Sequence, residues 1–129
     1  MEIFPDGKVN IGTAFNNTSH NTNYLLSVSG KIACDEVIVL PGTDWSDFVF
    51  DDDYALPSLI EVESYIKENK HLPDIPSAQD VKENGISVGD MQAKLLQKIE
   101  ELTLHVIRIE KELQQTKTQL RQQSKGELK

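Results

Sequence analysis

Between Met91 and Lys125 the chain contains neither proline nor glycine, and apolar residues recur there at alternating intervals of four and three. The series is Leu95, Ile99, Leu102, Val106, Ile109, Leu113, Thr116 and Leu120. With Ile99 at heptad position a, the a positions are Ile99, Val106, Leu113 and Leu120, and the d positions are Leu95, Leu102, Ile109 and Thr116. One polar member in such a run is the pattern of a coiled-coil seam. At 1.5 Å per residue the helix is a rod of roughly 55 Å. A helix lying on its own domain gives a similar stripe. Against that, the rod is longer than a domain of this size requires, and its final third, Gln114 to Lys125, has little else in the chain to pack on. The residue types at a and d leave dimer and trimer open, because both positions mix β-branched residues with leucine. Glu112 at g and Lys117 at the following e suit an interchain pair in a parallel coil.

Upstream, Ser58 and Glu61 form a capping box that opens a helix at Leu59, with Leu59, Val62 and Ile66 on one face. It stops near Lys70, and Leu72-Pro73-Asp74-Ile75-Pro76 reads as an extended connector. Ser77 caps a short helix from Ala78 to Asn84, Gly85 closes it in the left-handed region, and Ser87 with Asp90 opens the long helix. Leu96, Leu104 and Ile107 fall outside the seam, and they are expected to receive the Leu59, Val62, Ile66 face as a helical collar. Trp45, Phe48 and Phe50 crowd into six positions and are expected to anchor the β part to the helical part.

The first 40 residues alternate short apolar runs with turn residues. Strands are expected at Lys8–Ile11, Tyr24–Val28, Lys31–Cys34 and Glu36–Leu40, with a turn at Asp6-Gly7, a polar loop at Asn16–Asn23 and a break at Pro41-Gly42. Such strands are too few and short to close a monomeric sheet, so their edges call for partner chains. Hydrophobic residues make up 38% of the chain, below the usual 45–50% or so, which also favours burial shared between subunits. The expected fold class is therefore α+β: short N-terminal β segments, interwoven in an oligomer, then short helices and a long C-terminal coiled-coil helix. The expected divisions are a β-rich shaft (1–44), an aromatic anchor with short helices (45–87), the oligomerisation helix (88–125) and a disordered tail (126–129).

The net charge of -8 is concentrated in residues 35–101, which argues against nucleic acid, since phosphate binding needs clustered lysine and arginine. The basic tail of the long helix suits an exposed face and a C-terminal charge bias. Cys34, the single cysteine, is expected as a small buried side chain. No segment has the length and apolarity of a membrane span, and the N-terminus lacks a signal peptide's pattern. His20, His71 and His105 are scattered, with His105 at g on the coil surface, and no His/Cys set has zinc spacing. Asp51–Asp53 lacks the order of a calcium loop. No cofactor or metal is expected.

The stretches Trp45–Phe50, Leu59–Glu63, His71–Ser77, Asn84–Ile86 and Met91–Thr103 resemble the C-terminal module of tail-fibre-domain proteins from Bacteroidetes and their phages. Gly7–Thr13 and Leu26–Ile32 resemble the short β repeats that precede it. The resemblance spans roughly residues 7–110. It implies a trimeric fibre end, with interwoven β segments followed by a helical region around a central coiled coil. The wider, endosialidase-type group includes intramolecular chaperones that cut themselves off at a serine in a Ser-Asp context, activated by a lysine a few positions on. Ser46-Asp47 matches the first half, but Val49, Phe50, Asp51 and Asp52 follow, with no lysine, so self-cleavage at Ser46 is read as absent. The expected partners are other copies in a parallel trimer, other fibre or tail proteins and a cell-surface receptor, without membrane insertion. The expected location is a virion or extracellular particle, made in the bacterial cytoplasm. A small adaptor, binding another particle component through the coil end and the Asn16–Asn23 loop, and a self-cleaving intramolecular chaperone acting at Ser46 are the two alternatives.

Overall fold

The computed structural model describes residues 1–5, 7–12, 24–40 and 45–126. Asp6 of the expected turn, the Asn16–Asn23 loop, the Pro41-Gly42 break and the tail beyond Gly126 lie outside the described residues. The chain is α+β, with short N-terminal strands followed by three α-helices, of which the last is long. It divides into two compact units, Met1–Ile38 and Val39–Lys129.

The first unit holds a three-stranded sheet in the order β1 (Glu2–Ile3), β2 (Val9–Ile11), β3 (Leu26–Val28). β1 pairs antiparallel to β2, with Ile3 opposite Val9, and β2 pairs parallel to β3, with Val9 opposite Leu26. The amide of Phe4 donates to Lys8 O at 2.8 Å and that of Gly7 to Phe4 O at 3.0 Å, closing the first connection. β1 was not expected, and its two residues exist as a strand only because β2 supplies the ladder. Lys31–Cys34 and Glu36–Leu40 form no strand, contrary to expectation, and Cys34 is exposed rather than buried. Those runs have the composition of strands, but a strand forms by pairing, and among the described residues no neighbour pairs with them. Gly12 sits at φ 102°, and a Cβ there would stand 2.9 Å from the Cβ of Ser29. Glycine is what lets the ends of β2 and β3 approach.

In the second unit, a 3-10 turn (Ser46–Phe50) precedes α1 (Leu59–Asn69), α2 (Ala78–Asn84) and α3 (Val88–Gly126). Both short helices open on complete capping boxes, Ser58 with Glu61 and Ser77 with Asp80. Lys70 stops α1 in the left-handed conformation, φ 64° and ψ 16°. Gly85 ends α2 at φ 71° and ψ -166°. That is a glycine-only region rather than the left-handed one expected. Leu72–Ile75 is a tight turn and not an extended connector: Ile75 N–H donates to Leu72 O at 3.3 Å, and Asp74 takes φ 64°. Proline presets the second position of such a turn, and aspartate tolerates positive φ at the third. At the start of α3, Met91 N–H bonds Ser87 O, and Gly89 leaves space for Val39.

The apolar core of this unit is thin. Val49, 1% exposed, is the one fully buried apolar side chain among the described residues, and neither α1 nor α2 has a buried residue. Burial at the 3-10 turn falls on Ser46 and Val49, while Trp45, Phe48 and Phe50 stay exposed. Phe48 packs on Tyr54, with ring centroids 5.8 Å apart.

The sheet gives a direct expectation. Gly12→Ala should cost about 1–3 kcal/mol through backbone strain and crowding. The Ser29 amide, which donates to Ile11 O at 2.8 Å, should lose its protection in hydrogen exchange, while amides in α3 keep theirs.

Candidate functional site: the two sides of the long helix

The surface of the first half of α3, as far as His105, is divided into two sides, and the division runs against ordinary expectation. The helix's buried side chains are Lys98, Glu100, Glu101 and His105, all polar or charged. Its seam is open: Leu95, Ile99, Leu102, Val106, Ile109, Leu113 and Leu120 are between 41% and 63% exposed, and Thr116 is exposed as well. A helix docked on its own domain hides its apolar stripe and shows the polar one. From Gln97 to His105 the described residues cover positions b, c, f and g and leave a and d exposed; from Val106 to Gly126 every position is exposed.

Four attachments hold the covered side. The 3-10 turn, in which Val49 is buried, packs on α3, and Ser46 Oγ donates to Ala93 O at 2.5 Å. Further along, Tyr54 OH donates to Glu101 Oε1 at 2.6 Å, while Gln97 Nε2 donates to both, at 3.2 and 3.0 Å. The Leu72–Ile75 turn brings Asp74 to Lys98, whose Nζ lies 3.0 Å from Asp74 Oδ2 and 3.0–3.1 Å from both oxygens of Glu101. Beyond these, His105 Nε2 lies 3.0 Å from Pro57 O and so carries the proton that it donates. His105 was expected on the surface at g. It is 5% exposed instead, because the segment leading into α1 crosses over it. Its Nδ1 is buried without a hydrogen-bond partner among the described residues, as is Glu100 Oε2.

The charges in this cluster shape one another. Burial pushes the Glu101 carboxyl up, but hydrogen bonds from Tyr54, Lys98 and Gln97 outweigh it and hold the group below its ordinary value. Burial alone would lower the Lys98 ammonium; its bonds to Glu101 and Asp74 reverse that and raise it. Burial and then Glu101 raise the Tyr54 phenol. Glu100 has no such support, and burial followed by the charge of Asp47 raises it.

Between α1 and α3 lies an open groove lined by Pro57, Leu59, Val62, Leu72, Pro73, Lys98, Glu101, Leu102 and His105. The two helix backbones stay apart, with no pair of their Cα atoms within 8 Å. Of the collar residues, Leu59 and Val62 face this groove, Leu104 is half-buried, and Ile66 and Ile107 are exposed. Arg108 and Glu112 pair along α3 at 3.5 Å on the surface. Among the described residues no cluster of His, Cys, Asp and Glu is arranged to hold a metal ion, and no helix is long and apolar enough to cross a membrane.

Part of the polar cluster had a sequence signal: Lys98 and Glu101 stand three apart, a neighbouring spacing on a helix. Tyr54 and Asp74 did not, since each reaches α3 from a distant loop. Comparison with protein-family models, with curated proteins and with solved structures finds no match to this chain.

Adjacent carboxylates of α3 are expected to act in opposite directions. The depressed Glu101 contributes stability that is present above the ordinary carboxylate pKa, about 4.3, and lost as pH falls through its folded value. Glu101→Gln should lower stability at pH 7 by up to about 3–5 kcal/mol, less what Asp74 still supplies to Lys98, and its deficit should shrink in acid. Glu100, with its pKa raised, opposes folding when ionised, so Glu100→Gln should raise the urea midpoint at pH 7. Urea unfolding of both variants at pH 7 and in acid measures the two signs.

Proposed function

We propose that this chain is a non-enzymatic assembly module whose α3 helices join copies of it into a parallel coiled coil, as a trimer at the end of a phage tail fibre or related particle. The observation that carries the reading is the open seam. Seven apolar side chains in heptad phase stand about half exposed on α3: Leu95, Ile99 and Leu102 opposite a covered polar side, and Val106, Ile109, Leu113 and Leu120 where every side of the helix is exposed. Covering each contributes roughly 1 kcal/mol, and a unit whose one fully buried apolar residue is Val49 has little else to draw on. Glu112 and Lys117 stand at g and e as a parallel pair requires. The number three and the fibre setting rest on the resemblance to tail-fibre modules, and presentation of a receptor-binding surface goes with them. This role asks no chemistry of Ser46, whose proton is committed to the Ala93 carbonyl.

Sedimentation equilibrium tests the reading. The full chain should sediment at three times its 14.5 kDa, and Val106→Asp or removal of residues 95–125 should give monomers. A full chain that stays monomeric at micromolar concentration overturns the proposal and favours a small adaptor.

A further inference from the structure

We infer that the groove between α1 and α3 is completed by a second copy of this chain, whose Thr103 and Ile107 enter it, so that each α1 grips two long helices. The inference rests on the parallel coil proposed above and adds a contact that the seam alone does not require.

The argument begins with which side of α3 carries the groove. Lys98 and His105 are g positions and Leu102 is a d position, so α1 flanks the seam on its g side. In a parallel coil in register, the g side of one helix faces the e side of the next. The e side of α3 carries Leu96, Thr103 and Glu110, with Ile107 at b on its outer margin. Ile107 is 45% exposed, and among the described residues it is the one exposed large apolar side chain of α3 outside the seam phase. Leu59 and Leu72, on the groove wall, are 42% and 41% exposed. Two unfinished apolar surfaces therefore flank the same seam on opposite sides. Within one chain the seam separates them; between neighbours they face each other.

Charge agrees with a second copy as the occupant. In a parallel coil each g residue meets the e residue five positions on in its neighbour. The pairs are Lys98 with Thr103, His105 with Glu110, Glu112 with Lys117, and Gln119 with Ser124. No pair repels; the one that joins opposite charges, Glu112 with Lys117, lies along the coil beyond the groove and bears on the parallel register. Glu110 would stand over the wall that holds Lys98 and His105.

Disulfide trapping tests the contact. In a Cys34→Ser background, chains carrying Leu59→Cys are mixed with chains carrying Ile107→Cys, refolded together and oxidised. Both positions are exposed, so both variants should sediment as the parent does. The expected product is a covalent dimer containing one chain of each kind, and the double variant should close into covalent trimers. Trimers in sedimentation that form no such dimer, while chains carrying Leu102→Cys link across the seam, would overturn the groove contact and leave the coil standing. Double variants that link only within single chains would overturn it too. Monomers in sedimentation would remove both proposals together.

Discussion

The ion pair of Lys98 with Glu101 and Asp74, and the hydrogen bonds around it, commit one side of α3 and thereby decide what the other side has to do. Lys98 and Glu101 each keep only 10% of their side-chain surface in contact with solvent. Turning α3 to bury its apolar stripe against its own chain would strip these groups, and His105, of their partners. Leaving a buried charge without its partner costs about 3–5 kcal/mol. Each half-covered seam residue would return roughly 1 kcal/mol. The polar attachment therefore outweighs the first several apolar contacts that a rotated helix would make. It favours the orientation in which the stripe near Ile99 and Leu102 stays exposed.

The short helices face a related constraint. α1 has eleven residues and α2 has seven, and isolated helices below about 12–15 residues are marginal in water. A complete capping box adds on the order of 1 kcal/mol to each, which offsets part of the nucleation cost but does not hold a helix by itself. Packing normally supplies the rest, yet neither helix has a buried residue. The groove beside α1 is the same deficit seen from the other side. A chain arranged in this way has its local signals in place and its tertiary burial unfinished.

What the sequence made legible divides along the range of the forces involved. The capping box at Ser58, the cap at Ser77 and the start of α3 at Ser87 depend on residues within four positions of one another, and the structure has them where the pattern places them. The heptad stripe is equally local, and its phase needed no structure. The polar attachments to α3 were not legible, because Tyr54 and Ser46 meet α3 across 47 residues and no spacing rule links them. His105 was misplaced for that reason: its heptad position describes a coil, while its burial is set by Pro57 of a distant loop. The β segments failed in another way. Val37, Ile38 and Leu40 have the composition of a strand but stand 68%, 77% and 85% exposed, since composition states that a strand is possible and only a partner makes one. At Leu72–Ile75 two prolines suggested extension, and the turn preference of Pro73-Asp74 prevailed.

The seam's one polar member shows how little the seam itself can specify. Thr116 Oγ1 donates to Glu112 O at 2.9 Å, within its own helix. Covering Thr116 therefore leaves no unpaired hydroxyl, and its methyl group is what a neighbouring helix would meet. The stripe from Leu95 to Leu120 then behaves as continuously apolar, without the buried asparagine or lysine that fixes register in many coiled coils. A uniform apolar stripe tolerates a shift of one heptad at small cost. In the proposed coil, register has to come from residues beside the seam: the Glu112 and Lys117 charges, and the apolar side chains that α1 and Ile107 hold out on its two flanks. Placing α1 on the g side of α3 supplies a feature that a shifted neighbour could not match. The polar attachments that favour an exposed stripe thus also carry the element able to set how the stripes align.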